Sequence, residues 1–212
     1  MHPARNPGLC PDWRHRTRLP SMRSMTITAL EAISGRRSIR QFTARVPSRD
    51  DVETLLAAAV LAPNHRLTQS WRFFVLGPEA RYAYGLALGN RKAKKIEDVD
   101  AAERMRRTVA QEHAALPLMI AVGMTEDASA EIREEDYAAT MMAVQNLSLA
   151  AVSLGLGTHI KTGAIMQDPA ARAASGVPDG VKIVAVLNVG EPVVVPPAKE
   201  RKSAVSLTTW MP

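Results

Sequence analysis

The sequence predicts an α+β domain built as a three-layer sandwich of helices and strands. Two observations support this fold class. Helical and strand-like segments alternate along residues 25–212 without an internal repeat, and their connections are too irregular for uniform βαβ units. With 212 residues, of which 46% are hydrophobic, the chain is long enough to bury the core of a single domain.

Two helices are predicted before the first strand. The first covers residues 28–34 and ends at Gly35. The second follows Ser48, which is a good N-cap because it precedes acidic residues that the helix dipole favours in the first turn. Apolar residues then recur at helical spacing: Val52, Leu55, Leu56, Ala59 and Val60.

Three strands are predicted, at residues 71–76, 117–124 and 181–189, because these runs are apolar and rich in β-branched or aromatic residues. The charged region between the first two strands, residues 79–113, is predicted to be helical. Its cations are expected to lie on a solvated helix face. A mobile cover over a binding site is the alternative.

A further helix is predicted at residues 134–154, where apolar side chains surround the helix axis almost completely. A helix that is apolar on nearly all sides is expected to be buried on nearly all sides. We therefore expect it at the centre of the domain, with packing against a second subunit as a further option.

The net charge of +6 is concentrated at the N-terminus, since residues 1–24 carry +4 and the rest of the chain only +2. A compact basic face that could bind a nucleic-acid backbone is therefore not expected. Residues 1–24 are predicted to be a disordered basic extension preceding a domain at 25–212. A tail that binds acidic surfaces and a natural start at Met22 or Met25 are the alternatives.

Cysteine content and hydropathy favour a cytoplasmic protein. Cys10 is the single cysteine, which excludes an intramolecular disulfide framework and fits a reducing compartment. No apolar run reaches the roughly 18–20 residues that a membrane span requires, so no membrane association is expected.

Two polar segments are candidates for a binding site. Arg36, Ser38 and Arg40 alternate along an extended segment and could face one phosphate together, although a solvated basic linker is equally compatible. The loop before the first strand offers groups suited to a flat heteroaromatic edge or a polyol chain. These residues are Asn64, His65, Arg66, Thr68 and Gln69. Their alternative role is to satisfy backbone groups of the loop.

Several common sites are not indicated. No GxGxxG follows a strand and no GxxxxGK[ST] loop occurs, so a Rossmann or P-loop nucleotide site is not expected. The histidines include no HExxH pair and there is no CxxC, which argues against a metal site. A GxSxG nucleophile motif is also missing.

Six motifs occur in an order that resembles the FMN-dependent nitroreductase family. They are RRSIRQF at 36–42, APNH at 62–65, QSWRFFV at 69–75, QNLSLAA at 145–151, GLGT at 155–158 and VGEP at 189–192. The resemblance covers about residues 27–202 and is greatest to a short bacterial branch of NAD(P)H nitroreductases. It implies a central, mainly antiparallel sheet in a homodimer with FMN at the subunit interface.

The resemblance also implies roles for residues of this chain. Arg36, Arg37 and Ser38, with Arg40, would bind the FMN phosphate and ribityl groups. The loop residues Asn64, His65 and Gln69 would contact the flavin bound by the partner chain. Ile160, Lys161 and Thr162 would lie near the flavin, and the pair Lys199 and Arg201 would hold the phosphate. No side chain is nominated as a general acid or base.

Three positions depart from the family pattern. Ser70 replaces the usual proline, Leu67 stands where larger relatives have asparagine, and Ile160 replaces an aromatic residue. We expect these changes to affect substrate preference more than cofactor identity.

The activity implied by the resemblance is a ping-pong cycle. NAD(P)H reduces the flavin, which then reduces a small-molecule acceptor such as a nitroaromatic or a quinone. The alternatives are another FMN-dependent reaction on this fold, either a dehydrogenase or a flavin-cleaving oxygenase, and a flavin-binding protein without turnover.

Overall fold

The computed structural model describes residues 27–212, so the predicted basic extension at 1–24 lies outside the described residues. The described part contains six α-helices and four β-strands. The helices are α1 (Ala29–Gly35), α2 (Arg49–Ala59), α3 (Pro78–Ala93), α4 (Val99–Ala114), α5 (Ala130–Ser153) and α6 (Pro169–Ala174). The strands are β1 (Trp71–Leu76), β2 (Leu118–Thr125), β3 (Gly157–Lys161) and β4 (Val181–Gly190).

The first two helices begin with capping boxes. The Thr28 hydroxyl accepts a hydrogen bond from the backbone N–H of Glu31, and the Glu31 carboxylate accepts one from the Thr28 N–H. Ser48 and Asp51 make the same reciprocal pair at the start of α2. These contacts satisfy backbone donors that a helix start leaves open, and they confirm Ser48 as the predicted N-cap.

The four strands form one antiparallel sheet in the order β1-β2-β4-β3. Val184 is an extra residue in β4, because Val122 pairs with Ala185 whereas the next residue of β2, Gly123, pairs with Ile183. This bulge reverses which residues of β4 face each side of the sheet.

Helices cover both faces of the sheet, which confirms the predicted three-layer sandwich. On β2, Leu118, Ile120 and Val122 point toward α2 and α5, while Met119 and Ala121 point toward α3 and α6. Helix α4 packs outside the sheet against α3.

Helix α5 differs from its prediction in two ways. It begins at Ala130, with Ser129 as its N-cap, four residues before the predicted start. It is also not buried on nearly all sides of the single chain, since Tyr137 and Met142 are 43% and 41% exposed. The reason is that the sheet, α1 and α2 cover one face of the helix and leave the other open.

The predicted helical region at 79–113 is a hairpin of α3 and α4 in close contact. A Cβ atom added to Gly85 would lie 2.7 Å from the carbonyl oxygen of Val109, and one added to Gly89 would lie 2.9 Å from the Cα of Arg106. The cations at the end of α3 are exposed: Arg91, Lys92, Lys94 and Lys95. This arrangement favours the predicted solvated helix face over a mobile cover for this region.

Strand β3 places the segment before α2 at the edge of the sheet. The N–H of Ile39 donates to the carbonyl oxygen of Thr158 at 2.9 Å, and Ser38 forms a parallel bridge with Thr158. Gly157 permits this approach, because a Cβ atom there would overlap the side chain of Ile39.

Candidate functional site

A cleft of about 970 Å³ lies between residues 33–41 and residues 194–201. Six of the predicted site residues line it, namely Arg36, Arg37, Ser38, Arg40, Lys199 and Arg201. Among the described residues no acidic side chain lines the cleft, so five cations face it without an internal counter-charge. Its size is that of a typical small-molecule or cofactor site, and its charge selects an anion.

Side-chain alternation along residues 36–40 explains how Arg36 and Arg40 reach the cleft. Ile39 is buried and points into the domain. Because side chains alternate along an extended segment, Ser38 and Arg40 point away from the core on the opposite side. The alternation expected for Arg36, Ser38 and Arg40 therefore places all three along the cleft.

Arg37 is held by the backbone but retains an open donor. Its Nη1 donates to the carbonyl oxygens of Ser34, at 2.6 Å, and Arg36, at 3.0 Å. Its Nε is buried without a hydrogen-bond partner among residues 27–212. A buried N–H without an acceptor is costly, and an anion in the cleft could supply that acceptor.

The two walls of the cleft are joined at one end. The N–H of Val193 donates to the carbonyl oxygen of Gln41 at 3.1 Å, and Phe42 forms an antiparallel bridge with Pro192. The chain therefore leaves β4 directly beside the arginine-bearing segment, and residues 194–201 can form the opposite wall.

The predicted loop residues Asn64, His65 and Gln69 do not line this cleft. The loop, residues 62–70, is fastened instead to the N-terminal half of α5. His65 Nδ1 lies 3.0 Å from the carboxylate of Glu135, and Arg66 pairs with the same carboxylate at 2.9 Å. These contacts with Arg66 and then His65 lower the pKa of Glu135.

The distance between the loop and the cleft can be read along α5. Gln145 of this helix lines the cleft, whereas Glu135 holds the loop ten residues earlier. At about 1.5 Å per residue the two contacts are roughly 15 Å apart along the helix axis. One chain therefore carries the two parts of the predicted site at separate places.

The loop has an internal network of hydrogen bonds. The side-chain oxygen of Asn64 accepts from the N–H of Gln69 at 2.7 Å, and its amide nitrogen donates to the Thr68 hydroxyl at 3.1 Å. That hydroxyl in turn donates to the carboxylate of Asp136, which is only 2% exposed. Leu67 and Gln69 both have positive φ angles, of 50° and 46°.

Ile160, Lys161 and Thr162 lie at the end of β3, outside the lining of the cleft. Ile160 packs against the core between the sheet and α5. Lys161 is half-buried. Burial lowers the pKa of its ammonium group, and the nearby positive charge of Lys92 lowers it further. The assignment of these three residues to a cofactor remains a prediction.

Several residues of these sites were not singled out from the sequence. Gln41 and Gln145 line the cleft, while Glu135 and Asp136 hold the loop. The predicted helix at 134–154 would place both acids in its first turn. Because α5 begins at Ala130, they lie in its second turn, where contacts with the loop are their observed role.

Two further findings concern the described part of the chain as a whole. Within 27–212 no group of three or more histidine, cysteine or acidic side chains is arranged to hold a metal ion. None of the helices in that range is long and apolar enough to cross a membrane.

Comparison with known proteins identifies the family. The sequence matches the Nitroreductase family over residues 33–191, and the chain belongs to this family. It is 30% identical over 174 residues to "Putative NAD(P)H nitroreductase YfhC" of Bacillus subtilis, with 81% of this chain and 88% of that protein covered. The predicted resemblance is confirmed, and family membership supports an oxidoreductase.

Two solved structures are similar to this fold. A nitroreductase-like family protein from Bacillus cereus has a TM-score of 0.77 at 28% identity, covering 90% of this chain and 99% of the other. A protein from Desulfovibrio desulfuricans described as "a putative nitroreductase in complex with fmn" has a TM-score of 0.65 at 26% identity, covering 87% of this chain and 96% of the other. These similarities confirm the predicted α+β fold.

Proposed function

We propose that this protein is an FMN-dependent oxidoreductase that takes hydride from NAD(P)H and reduces nitroaromatic, quinone or related acceptors by a ping-pong mechanism. The observation that carries the proposal is the cleft between residues 33–41 and 194–201, which presents five cations to an anionic ligand. One of them is Arg37, whose Nε is buried without a hydrogen-bond partner among residues 27–212. The FMN complex of the Desulfovibrio desulfuricans relative supports the choice of ligand.

The residues of the cleft fit the phosphate end of FMN. Guanidinium groups present planar sets of donors that match phosphate oxygens, and Arg36, Arg37 and Arg40 lie together on one wall. Lys199 and Arg201 add two charges from the opposite wall, and the hydroxyl of Ser38 adds a donor for the phosphate or ribityl chain.

The proposal includes a homodimer in which the loop 62–70 meets the flavin held by the partner chain. Three features support it. The loop is distant from the cleft of its own chain, Leu67 at its tip is 76% exposed, and the open face of α5 exposes Tyr137 and Met142. Asn64, His65 and Gln69 would then contact the partner's flavin.

Ile160, Lys161 and Thr162 complete the proposed flavin environment. They follow Thr158, which pairs with the arginine-bearing segment, so they continue the same edge of the sheet beyond the cleft. Lys161 would place a cation near the ring system, where it can stabilise negative charge.

Bound FMN would supply the redox chemistry, accepting hydride from NAD(P)H and passing electrons to the acceptor. The chain supplies binding, orientation and positive charge, and we assign no general acid or base. A cytoplasmic location belongs to the proposal because the single cysteine suits a reducing compartment.

The proposal is tested with protein purified without added flavin, by recording its visible spectrum and then adding NADH or NADPH anaerobically. A flavin band that bleaches is the expected result. A band that persists would leave a flavin-binding protein without this activity. Protein that neither retains nor binds FMN would contradict the proposal.

A matched pair of variants links the activity to the cleft. Arg37→Ala should weaken FMN binding by about 1.5–3 kcal/mol, the value of a hydrogen bond to a charged group. Arg133→Ala is the control, because Arg133 also donates to two backbone carbonyl oxygens but lies away from the cleft. Equal FMN affinity in the two variants would count against the assignment.

A further inference from the structure

Asp136 is a buried acid whose observed side-chain contacts are all with the loop. Thr68 donates its hydroxyl to Oδ1, and the amide nitrogen of Asn64 lies 3.5 Å from the same oxygen. No cation among residues 27–212 pairs with this carboxylate, which is 2% exposed. A buried carboxylate depends on hydrogen-bond donors for its stability, and here the loop provides them.

The position of Asp136 in the helix supports a role directed at the loop. It lies in the second turn of α5. The helix dipole stabilises an acid mainly in the first turn, so it does not explain the presence of Asp136. Its neighbour Glu135 also contacts the loop, but through ion pairs with His65 and Arg66, whose side chains are 71% and 42% exposed. Exposed pairs contribute little, so the buried contact is the stronger restraint.

The backbone of the loop needs such a restraint. Leu67 and Gln69 adopt positive φ angles, a conformation that side chains other than glycine rarely adopt. Conformations of this kind persist only where surrounding contacts fix them. Asn64 clamps the N–H of Gln69 from within the loop, and Asp136 holds Thr68 and Asn64 from the helix.

We propose that Asp136 is a positioning residue that holds the loop 62–70, through Thr68 and Asn64, in the conformation that meets the partner's FMN. The second half of this inference rests on the proposed function. Asp136 touches neither the cleft nor its cations, so it would act on the cofactor only through the loop.

Three variants test the inference. Asp136→Asn keeps the shape of the side chain and removes its charge, while Thr68→Val removes the hydroxyl that donates to it. Thr140→Val is the matched control, because Thr140 is fully buried one turn further along α5 and its hydroxyl has no partner among the described residues. Melting temperatures identify conditions in which all variants are folded.

Amide hydrogen exchange of the peptide covering residues 63–70 measures the restraint directly and requires no flavin. Exchange should accelerate in Asp136→Asn and Thr68→Val and remain at the parental rate in Thr140→Val. Unchanged exchange in both loop variants would show that Asp136 does not hold the loop, and would overturn the inference.

FMN affinity measures the consequence for the cofactor. We expect it to fall roughly tenfold in Thr68→Val, as for the loss of a hydrogen bond to a charged group. The fall should be smaller in Asp136→Asn, because the amide oxygen of asparagine can still accept from Thr68. The double variant should be no weaker than the worse single variant, since Asp136→Asn weakens and Thr68→Val removes the same hydrogen bond. Faster exchange with parental FMN affinity would overturn the positioning role.

The outcome for the parental protein separates this inference from the proposed function. If the parent binds no FMN, the proposed function and the cofactor half of the inference both fail. The exchange rates would still decide whether Asp136 fixes the loop.

Discussion

The hydroxyl of Thr43 donates a hydrogen bond to the carboxylate of Glu191 at 2.8 Å, joining residues that are 148 positions apart. Arg45 lies 3.3 Å from the other carboxylate oxygen. These contacts with Thr43 and then Arg45 lower the pKa of Glu191. Because Thr43 follows one wall of the cleft and Glu191 precedes the other, these side-chain contacts lie at the junction of the two walls, beside the backbone pairing of Phe42 with Pro192.

Glu191→Gln should weaken FMN binding at pH 7 only modestly, because the ion pair with Arg45 is exposed and screened by solvent. The expected cause is a looser junction between the walls. Glu103→Gln is the control, because Glu103 also pairs with two side chains but lies on α4, away from the cleft. A fluorescence titration with FMN measures both variants, and identical affinities would contradict the role of Glu191.

Gly157→Ala should destabilise the fold by about 1–3 kcal/mol, the usual cost of overpacking. The added methyl group would overlap Ile39, so the arginine-bearing segment would have to move away from β3. Gly77→Ala is the comparison, since no neighbouring group among residues 27–212 lies within 4 Å of a Cβ atom added there. Urea unfolding measures the free energy of unfolding of both variants. FMN binding should also weaken in Gly157→Ala, because the arginine-bearing segment moves.

Stability should fall as the pH is lowered from 8 to 5.5. Burial lowers the pKa of His113 below its ordinary value of 6.5, with Lys161 and Lys92 acting in the same direction and Val109 and Glu112 opposing. Burial also lowers the pKa of His159. A folded-state pKa below that of the unfolded chain means that protonation favours unfolding, so this stability is complete above pH 6.5 and is lost below it.

His113→Asn tests the origin of this pH dependence. Asparagine can still donate to the carbonyl oxygen of Val109, which His113 Nδ1 contacts at 2.7 Å, but it does not titrate. The free energy of unfolding, measured in urea at intervals across pH 8 to 5.5, should decline less steeply in this variant. A slope equal to that of the parent would assign the effect to other groups.

The sheet was largely predictable because its central strands are continuous apolar runs. Strand β1 spans the predicted residues 71–76, and β2 and β4 differ from their predictions by a residue at their ends. Strand β3 was not predicted, since the sequence GTHIK at the sheet edge has no apolar alternation. Helix α6 is six residues long, too short to show helical periodicity.

The candidate site was predictable only in part. The cations at 36–40 and at 199–201 are far apart in sequence, and their meeting depends on the pairing of Gln41 with Val193, which residue spacing does not show. Similarly, a buried Asp136 has the same local sequence as a solvated one, because its partner Thr68 is 68 residues away.

The separation of cleft and loop within one chain has a consequence for mixed assemblies. If each site combines the cleft of one subunit with the loop of the other, a chain with a damaged cleft and a chain with a damaged loop would form one intact site when paired. Co-expression of Arg37→Ala with Thr68→Val would then show intersubunit complementation, with activity above that of either variant alone. Both substitutions would lie in the other site, so complementation would restore at most one of the two sites in each mixed dimer.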